Sequence, residues 1–477
     1  MITGLFSHIF ALLFLFTCIN IEANSDIEAD LSGFEVEKST DMSADLEGFD
    51  EPISDEEDVF TETRQSRFQL SGDLSFKTSA GYKQHKEAAI EYSGINQAQT
   101  SLYLQLESKL SDDWKLRISG DMFYDAIYDI YSHNDYSGDI LNDYKTQYRL
   151  DETYIQGSVT SNIDVKVGRQ IVIWGKSDSI RVTDVINPLD NRLPGMTDIE
   201  DLRLSVAMAK IDYYIGEWNL SFMAIGESRI MFEAPARSEF FPVDSIFSAS
   251  PNPFLRLKKP KSSFDNMQYA VAANGIFSGW DLSFYGAHVL DQKWHFDHVQ
   301  GSVPISDITR VINKIDMLGS AVNIASGSWL LKSEVAYLSG VAYNSTADEK
   351  NRLDILIGFD YSGFRDAVVS LEIANRHIFG YEAQMKNQAD YVKKDELQTA
   401  IRLTKSFSND TIDLSALLNM FGSKWESGGF ARVWVDYEIV DALSVNFGVV
   451  DYIGGDKPFT EAIKNNDRIF AEISYSF

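Results

Sequence analysis

Residues 114–128 read WKLRISGDMFYDAIY, and this stretch decides the fold because its side chains alternate in character with a period of two. One parity is apolar apart from a glycine, whereas the other is mostly charged and carries Lys115, Arg117 and Asp121. Successive side chains of a β-strand point to opposite faces of the sheet, so the stretch predicts a strand with one apolar face and one polar face.

The same alternation recurs downstream, for example over residues 353–361, 431–439 and 443–449. A soluble β-sandwich also alternates. However, the alternating segments often run for ten to fourteen residues, whereas soluble strands average about 5–6 residues and membrane strands need about 9–11. Their length therefore favours membrane strands.

The connections alternate between short and long, which is typical of outer-membrane barrels. Tight turns such as 111–113 and 278–279 separate longer polar segments such as 129–148, 174–201 and 227–266. Several turns are followed at once by an aromatic residue, as expected of an interfacial girdle. These residues are Trp114, Trp218, Trp280, Trp329 and Phe364.

Counting hairpins predicts an all-β fold: a transmembrane antiparallel up-and-down β-barrel of about 18 strands (16–18) over residues 67–477. Three of the predicted strands span residues 114–128, 163–173 and 202–215. The final strand alternates through Ile473 and Tyr475 to a C-terminal Phe477, which resembles the terminal signal that the barrel assembly machinery recognises.

The N-terminus predicts export. Residues 9–19 form an apolar stretch and Ala23 offers a small residue for cleavage, so residues 1–23 are predicted to be a signal peptide. The stretch is shorter than the ~20 residues of a spanning helix. Cys18 either leaves with the signal or, in the alternative, is an acylated lipoprotein cysteine.

Residues 24–66 are predicted to form an acidic, disordered periplasmic arm. Between residues 24 and 62 there are fifteen Asp or Glu and one basic residue, Lys38. Such a composition does not bury enough apolar surface to fold alone. An ADLxGF repeat supplies Leu31, Phe34, Leu46 and Phe49, so the arm is either a solvated tail, a plug in the barrel mouth or a docking segment for a periplasmic or inner-membrane transport partner.

Composition narrows the functional classes. The 477-residue chain has a net charge of -29, which disfavours binding to nucleic acid, and its single Cys excludes a disulfide framework and a Cys-built zinc site. No phosphate-binding glycine motif or GxSxG elbow is present, so neither a cofactor nor an enzymatic activity is predicted. His295, Asp297 and His298 could hold a metal, but a polar external loop is the better account of them, so no metal site is predicted.

The inward-facing side chains predict a wet lumen, because buried charges need water or partners and barrels of 16–18 strands enclose an aqueous channel. Arg169 follows the lipid-facing parity, so we expect a bulge at Gly168 to turn it inward. The predicted lumen residues are Lys115, Arg117, Asp121, Arg169, Arg432 and Asp436.

Residues 174–203 form the third external loop by hairpin count. Apolar residues at Val182, Val185, Ile186 and Leu189 give it the means to pack against the barrel wall, so we expect it to fold into the lumen and narrow the pore, as in general porins. The predicted constriction residues are Lys176, Asp178, Arg181, Asp184, Asp190 and Arg192.

The same region carries a family resemblance. VGRQIVIWG at 167–175, followed by INPLD at 186–190 and LPG at 193–195, resembles an uncharacterised family of proteobacterial outer-membrane barrels catalogued as a domain of unknown function. The resemblance implies a porin-like barrel over most of residues 67–477. It also implies traffic of hydrophobic compounds together with an inner-membrane exporter, and it carries over no catalytic residue.

The sequence therefore predicts a porin-like channel for small molecules in the outer membrane of a Gram-negative bacterium, in contact with membrane lipids and lipopolysaccharide. The alternative is a surface interaction or adhesion protein, in which long external loops bind a partner and the barrel serves only as an anchor.

Overall fold

The computed structural model describes residues 67–83, 86–87, 90–131, 136–242, 255–300, 307–387 and 390–477. The predicted signal peptide and acidic arm lie outside the described residues. Residues 65–477 form one compact unit.

Eighteen antiparallel strands form one closed sheet, in which β1 pairs with both β2 and β18. The predicted fold class is confirmed. The strands are β1 (Phe68–Gly81), β2 (Gly94–Lys109), β3 (Trp114–Asp125), β4 (Thr146–Thr160), β5 (Ile163–Gln170), β6 (Val206–Ile215), β7 (Trp218–Ile225), β8 (Gln268–Phe277), β9 (Trp280–Leu290), β10 (Lys314–Ser326), β11 (Trp329–Val341), β12 (Lys350–Phe364), β13 (Ala367–Ile378), β14 (Asp395–Phe407), β15 (Ile412–Phe421), β16 (Gly429–Val440), β17 (Leu443–Ile453) and β18 (Arg468–Ser476).

Short turns join the strands at one end of the barrel and nine longer connections, L1 to L9, join them at the other. The nine connections are L1 (82–93), L2 (126–145), L3 (171–205), L4 (226–267), L5 (291–313), L6 (342–349), L7 (379–394), L8 (422–428) and L9 (454–467). They contain the short helices Ile127–Ile130, Gly138–Ile140, Leu141–Lys145, Ile199–Leu202, Phe264–Asn266, Ala383–Lys386 and Pro458–Ile463, and short strands outside the barrel. No helix in the described part of the chain combines the length and apolar character needed to cross a membrane.

The outer face of the barrel is an apolar belt with a distinct border at each end. At the short-turn end Trp280 stacks on Phe277 at 4.4 Å and Trp329 lies 4.5 Å from Tyr361, as predicted for an aromatic girdle. At the loop end the outward side chains become ionisable, and His288 contacts Asp316 at 2.7 Å. An exposed apolar surface of this extent is that of a membrane barrel.

Three predicted strands end earlier or start later than the alternation indicates, two because side chains replace ladder hydrogen bonds and one because a helix precedes it. The Asp125 carboxylate accepts the backbone N–H of Ile127 at 3.0 Å and turns the chain into a helix after β3. After β5, Glu152 accepts the N–H of Ile171 at 3.1 Å. β6 begins at Val206 rather than residue 202, since the helix Ile199–Leu202 belongs to L3.

Candidate functional site

L3 lies inside the barrel, where it covers the inner face of about half of the wall. Trp174, Ile180, Val182 and Ile186 are buried in one hydrophobic cluster with inward residues of β6 to β13. The wall residues in this cluster are mostly methionine, alanine and leucine, including Met208, Met223, Ala270, Ala272, Met317, Ala321, Ala336, Leu338 and Leu356. Buried apolar side chains therefore fill much of this half of the lumen.

Glu334 on β11 binds the first turn of L3 from the opposite wall. Its carboxylate accepts the backbone N–H groups of Lys176 at 2.6 Å and Ser177 at 2.8 Å. It also accepts the N–H of Thr183 at 3.1 Å and the Thr183 hydroxyl at 2.7 Å. Gly175 has a φ of +88°, and a Cβ there would lie 2.7 Å from Glu334 Oε1, so only glycine permits this close approach.

Glu372 on β13 binds the next part of the same turn. It accepts the Ser177 hydroxyl at 2.6 Å, the N–H of Asp178 at 2.8 Å and the N–H of Ser179 at 3.0 Å. Glu334 and Glu372 are only 2% and 1% exposed. The turn at residues 175–183 thus forms a pocket of N–H and O–H donors around two buried carboxylates.

Charged side chains of L3 add ion pairs to the wall near this turn. Lys176 contacts Asp281 on β9 at 2.5 Å. Lys332 on β11 contacts Asp178 at 2.5 Å and Asp360 at 2.8 Å. Trp174 stacks on Tyr285 of β9 with ring centroids 4.7 Å apart.

The base of L3 is closed by the fully buried amide of Asn187. Its Oδ1 accepts the N–H of Val172 at 2.8 Å, and its Nδ2 donates to the carbonyls of Leu204 at 2.8 Å and Gln170 at 3.3 Å. The amide thereby joins the end of β5 to the start of β6.

A second set of contacts holds the far part of L3 against β14, β16 and β17. The Asp198 carboxylate lies 2.9 Å from Arg402 and 3.1 Å from Arg432. The Tyr452 hydroxyl donates to the Pro194 carbonyl at 2.6 Å. L3 therefore reaches opposite walls on both sides of the barrel.

A cavity of about 1100 Å³ remains beside L3, between β1–β4 and β14–β18. Eleven carboxylates and six basic side chains line it, an acidic excess of five. Burial, with Glu200 and Asp198 close by, raises the pKa of Asp201 in the L3 helix.

Every basic side chain that lines this cavity is ion-paired with one of its carboxylates. The pairs are Lys77 with Glu472, Arg149 with Asp121 and Asp190, Arg192 with Asp190, Arg402 and Arg432 with Asp198, and Arg468 with Glu239. Within the described residues, six lining carboxylates have no basic side chain within ion-pair distance. They are Asp73, Asp125, Glu200, Asp201, Asp413 and Asp436.

A smaller hollow of about 640 Å³ lies at the short-turn end of the lumen. Lys115, Lys166, Lys210 and Asp212 are among its lining residues. Arg117 lies nearby and pairs with Glu107 at 2.5 Å and Glu152 at 3.1 Å. Water therefore reaches charged side chains from both ends of the barrel.

The six predicted constriction residues divide into two groups. Asp190 and Arg192 line the large cavity, where they pair at 2.5 Å. Lys176, Asp178, Arg181 and Asp184 do not line it. Lys176 and Asp178 contact the wall, and Arg181 pairs with Asp184 at 3.1 Å within L3, where burial lowers the pKa of Arg181.

Five of the six predicted lumen residues face inward, namely Lys115 and Arg117 near the short turns, and Asp121, Arg432 and Asp436 on the cavity wall.

The prediction for Arg169 is wrong. Pairing of β5 with β6 runs without a register shift through Gly168, so Arg169 stays on the same outer face as Val167, which is 51% exposed. It lies at the loop end of the belt and pairs with Glu227 of L4 at 2.6 Å. An ion pair at this border replaces the expected bulge.

Sequence reasoning missed the roles of Glu334, Glu372, Asn187 and Arg402. A glutamate within an alternating apolar segment, such as the LEI around Glu372, signals an inward carboxylate. Its partners, however, are backbone N–H groups about 195 residues earlier in the chain, which no local pattern predicts.

Ile473, Tyr475 and Phe477 lie on the outer face of the closing strand pair. Ile473 is opposite Phe76 and Tyr475 is opposite Leu74. Gly72 and Phe477 exchange two backbone hydrogen bonds of 2.9 Å. A role of these residues in assembly stays a prediction.

A family model described as "Protein of unknown function (DUF1302)" matches residues 71–477. No curated protein sequence matches the chain significantly.

Similar solved structures include OccK8 (OprE) of Pseudomonas aeruginosa, with 11% identity, 86% of this chain and 98% of that chain covered, and a TM-score of 0.48. OpdL of Pseudomonas aeruginosa has 10% identity, covers 86% and 98%, and has a TM-score of 0.47. The outer membrane channel DcaP of Acinetobacter baumannii has 10% identity, covers 86% and 97%, and has a TM-score of 0.41.

Proposed function

Given that the chain belongs to the DUF1302 family of proteins of unknown function, we propose that it forms a channel for small molecules in the outer membrane of a Gram-negative bacterium. The observation that carries the proposal is the charged cavity of about 1100 Å³ beside L3. If the barrel only anchored external loops, side chains could fill its whole lumen, as they fill much of the half that residues 174–186 cover.

The outer-membrane location is supported by the apolar belt and its two borders. The belt lies between the aromatic side chains at the short turns and the ionisable pairs at the loop end, such as His288 with Asp316. Membrane lipids and lipopolysaccharide are the partners that this surface fits, and the barrel assembly machinery is the partner that would insert it.

The channel prefers cations. Its basic side chains are all paired with carboxylates, whereas six lining carboxylates have no basic side chain within ion-pair distance among the described residues. Charges in a narrow space of low dielectric constant act more strongly on a passing ion than they would in open water.

Planar-bilayer recording tests both statements. We expect discrete conductance steps, and in a salt gradient a reversal potential on the cation-selective side. A folded, heat-modifiable barrel that gives no steps would contradict the channel and favour a surface anchor. Anion selectivity would contradict the charge argument alone.

Hydrophobic compounds and an exporter partner form the finer part of the proposal. The acidic arm at residues 24–66, with Leu31, Phe34, Leu46 and Phe49, would dock a periplasmic or inner-membrane transport protein. Deleting residues 24–62 should abolish co-purification of that protein and reduce uptake or export of apolar solutes. If transport and every co-purifying protein stay unchanged, the arm has no docking role.

A further inference from the structure

We propose that Glu334 and Glu372 set the width of the channel, although neither lines it. The inference rests on the proposed channel function. Both side chains are positioning residues, because they act by holding residues 175–183 of L3 across the barrel and leave contact with the solute to other groups.

Each of these two carboxylates makes more contacts with the turn than any ion pair of L3 does. Glu334 accepts four hydrogen bonds and Glu372 accepts three, all from residues 176–183. Five of the seven donors are backbone N–H groups. The wall therefore recognises the conformation of the turn more than its side chains.

The carboxylates in turn depend on the turn. Among the described residues, neither Glu334 nor Glu372 has a basic side chain within ion-pair distance, and the nearby Lys332 is bound to Asp178 and Asp360. A buried carboxylate without a counter-ion is stable only while hydrogen-bond donors surround it. Glu334 and Glu372 can therefore be buried only when L3 packs against the wall, so the two processes occur together.

Substituting glutamine for either glutamate should release the turn. A glutamine side chain keeps one acceptor oxygen and turns an NH₂ group toward backbone N–H groups, which cannot accept a hydrogen bond from it. In Glu334→Gln the mismatch falls on Lys176 and Ser177 or on Thr183, and in Glu372→Gln it falls on Ser177 and Ser179 or on Asp178.

The same release can be made from the loop side. In Gly175→Ala the new methyl group would lie 2.7 Å from Glu334 Oε1 on a backbone with a φ of +88°. The variant perturbs the same contact without altering any charge of the wall. If Gly175→Ala has the same effect as the glutamine variants, the effect comes from release of L3 and not from loss of a charge in the lumen.

Single-channel recording of the full-length protein tests the proposal. Glu334→Gln, Glu372→Gln and Gly175→Ala should each raise the conductance by about twofold at most and add frequent fluctuations, since residues 174–186 cover about half of the inner wall. Asp354→Asn on β12 is the matched control, because Asp354 is an equally buried inward carboxylate, at 1% exposed, that pairs with Arg352 at 2.8 Å and does not line the cavity. Its step size should stay near that of the wild type.

A labelling measurement decides the proposal independently of conduction. The sequence has one Cys, Cys18, within the predicted signal peptide, so Ile180→Cys gives the mature chain a single thiol. Ile180 is 1% exposed. A membrane-impermeant thiol reagent should modify Ile180→Cys slowly, and at least about tenfold faster when Glu334→Gln or Glu372→Gln is added.

The outcomes distinguish the two proposals. If heat-modifiable Glu334→Gln and Glu372→Gln proteins keep wild-type conductance and wild-type labelling, the positioning role is overturned and the channel stands. If the wild type does not conduct but labelling accelerates in the variants, the carboxylates hold L3 and the channel proposal fails. Equal effects of Asp354→Asn would assign the change to loss of a buried wall charge and overturn the positioning role.

Discussion

Arg181 and Arg192 carry the same charge and lie eleven residues apart in L3, but their surroundings differ. Arg192 lines the large cavity and is bound by Asp190 at 2.5 Å and by Gln147 at 2.6 Å. Arg181 does not line it, and its guanidinium is bound by Asp184 and by the Asn187 carbonyl. Their charges therefore act on different surroundings.

Replacing Arg192 with Gln should make the channel more cation-selective, because a positive charge leaves the cavity wall while Asp190 stays. Arg181→Gln is the matched control and should leave the reversal potential near the wild-type value. Reversal potentials in a tenfold salt gradient measure the difference. Equal shifts in the two variants would place both side chains at the conduction path.

Loss of the Asn187 side chain should destabilise the base of L3. Truncation in Asn187→Ala leaves the Val172 N–H and the carbonyls of Gln170 and Leu204 without their side-chain partner inside the barrel. Each unsatisfied buried group costs about 1–3 kcal/mol, so we expect a loss of at least about 2 kcal/mol. Urea unfolding followed by gel mobility measures it, with the exposed Asn313→Ala as control.

Sequence reasoning located Asp190 and Arg192 because hairpin counting placed their loop, and the loop's apolar residues favoured an inward fold. The same reasoning could not show that Arg181, unlike Asp190 and Arg192, does not line the cavity. Which side of a loop faces the channel depends on where the wall binds it, and here the binding groups are about 158 and 194 residues farther along the chain.

At the scale of elements, one lysine ties three external connections together. Lys393 of L7 contacts Glu426 of L8 at 2.9 Å, the Ser427 hydroxyl at 3.0 Å and Asp456 of L9 at 2.9 Å. The backbone N–H of Lys424 and the Lys393 ammonium hold the pKa of Glu426 down at about 2.

This cluster should loosen in acid. The folded pKa of Glu426 lies below the value of about 4.3 expected in an unfolded chain, so its stabilising effect is complete above that pH. It is lost as the pH falls toward 2. An acid titration of Trp425 fluorescence should show a transition in this window, and Glu426→Gln should remove the corresponding part. A transition that is identical in the variant would assign it to another group.

The ends of strands could be predicted where backbone pairing alone sets them. They could not be predicted where a side chain hydrogen-bonds to the backbone and ends the strand. The turns beside Trp218 and Trp280 fall where the pattern predicts them, because nothing but backbone pairing acts there. β3 stops at Asp125 because that carboxylate caps the next turn, a contact that alternation does not contain.

At the scale of the whole molecule, the closing pair of strands gives a test of assembly. Deleting Phe477 removes two hydrogen bonds to Gly72 and an outward aromatic ring, so we expect slower assembly and less heat-modifiable protein. Pulse-chase gel mobility measures the rate, and Phe477→Tyr, which keeps the ring and backbone, should assemble normally. Wild-type protein recovered in the soluble periplasm would contradict the outer-membrane location itself.

The number of strands, their order and the outward faces were predictable because lipid requires an apolar parity on every strand. The division of the lumen was not. Met208, Met223 and Ala272 face inward and are apolar because L3 covers them, whereas Asp436 faces inward and is charged because water does. The character of each inward side chain therefore depends on what covers it, and the covering segment comes from a distant part of the chain.

The barrel can close only when β1 pairs with β18. Asp73 and Ser476 touch across the seam although 403 positions separate them along the chain. Contacts of such long range form slowly, because the entropy of closing the loop is lost before any pairing energy is gained. Until that moment the first and last strands each expose a row of unpaired backbone groups that would join any other strand. We therefore expect the chain to need a chaperone until the seam is sealed.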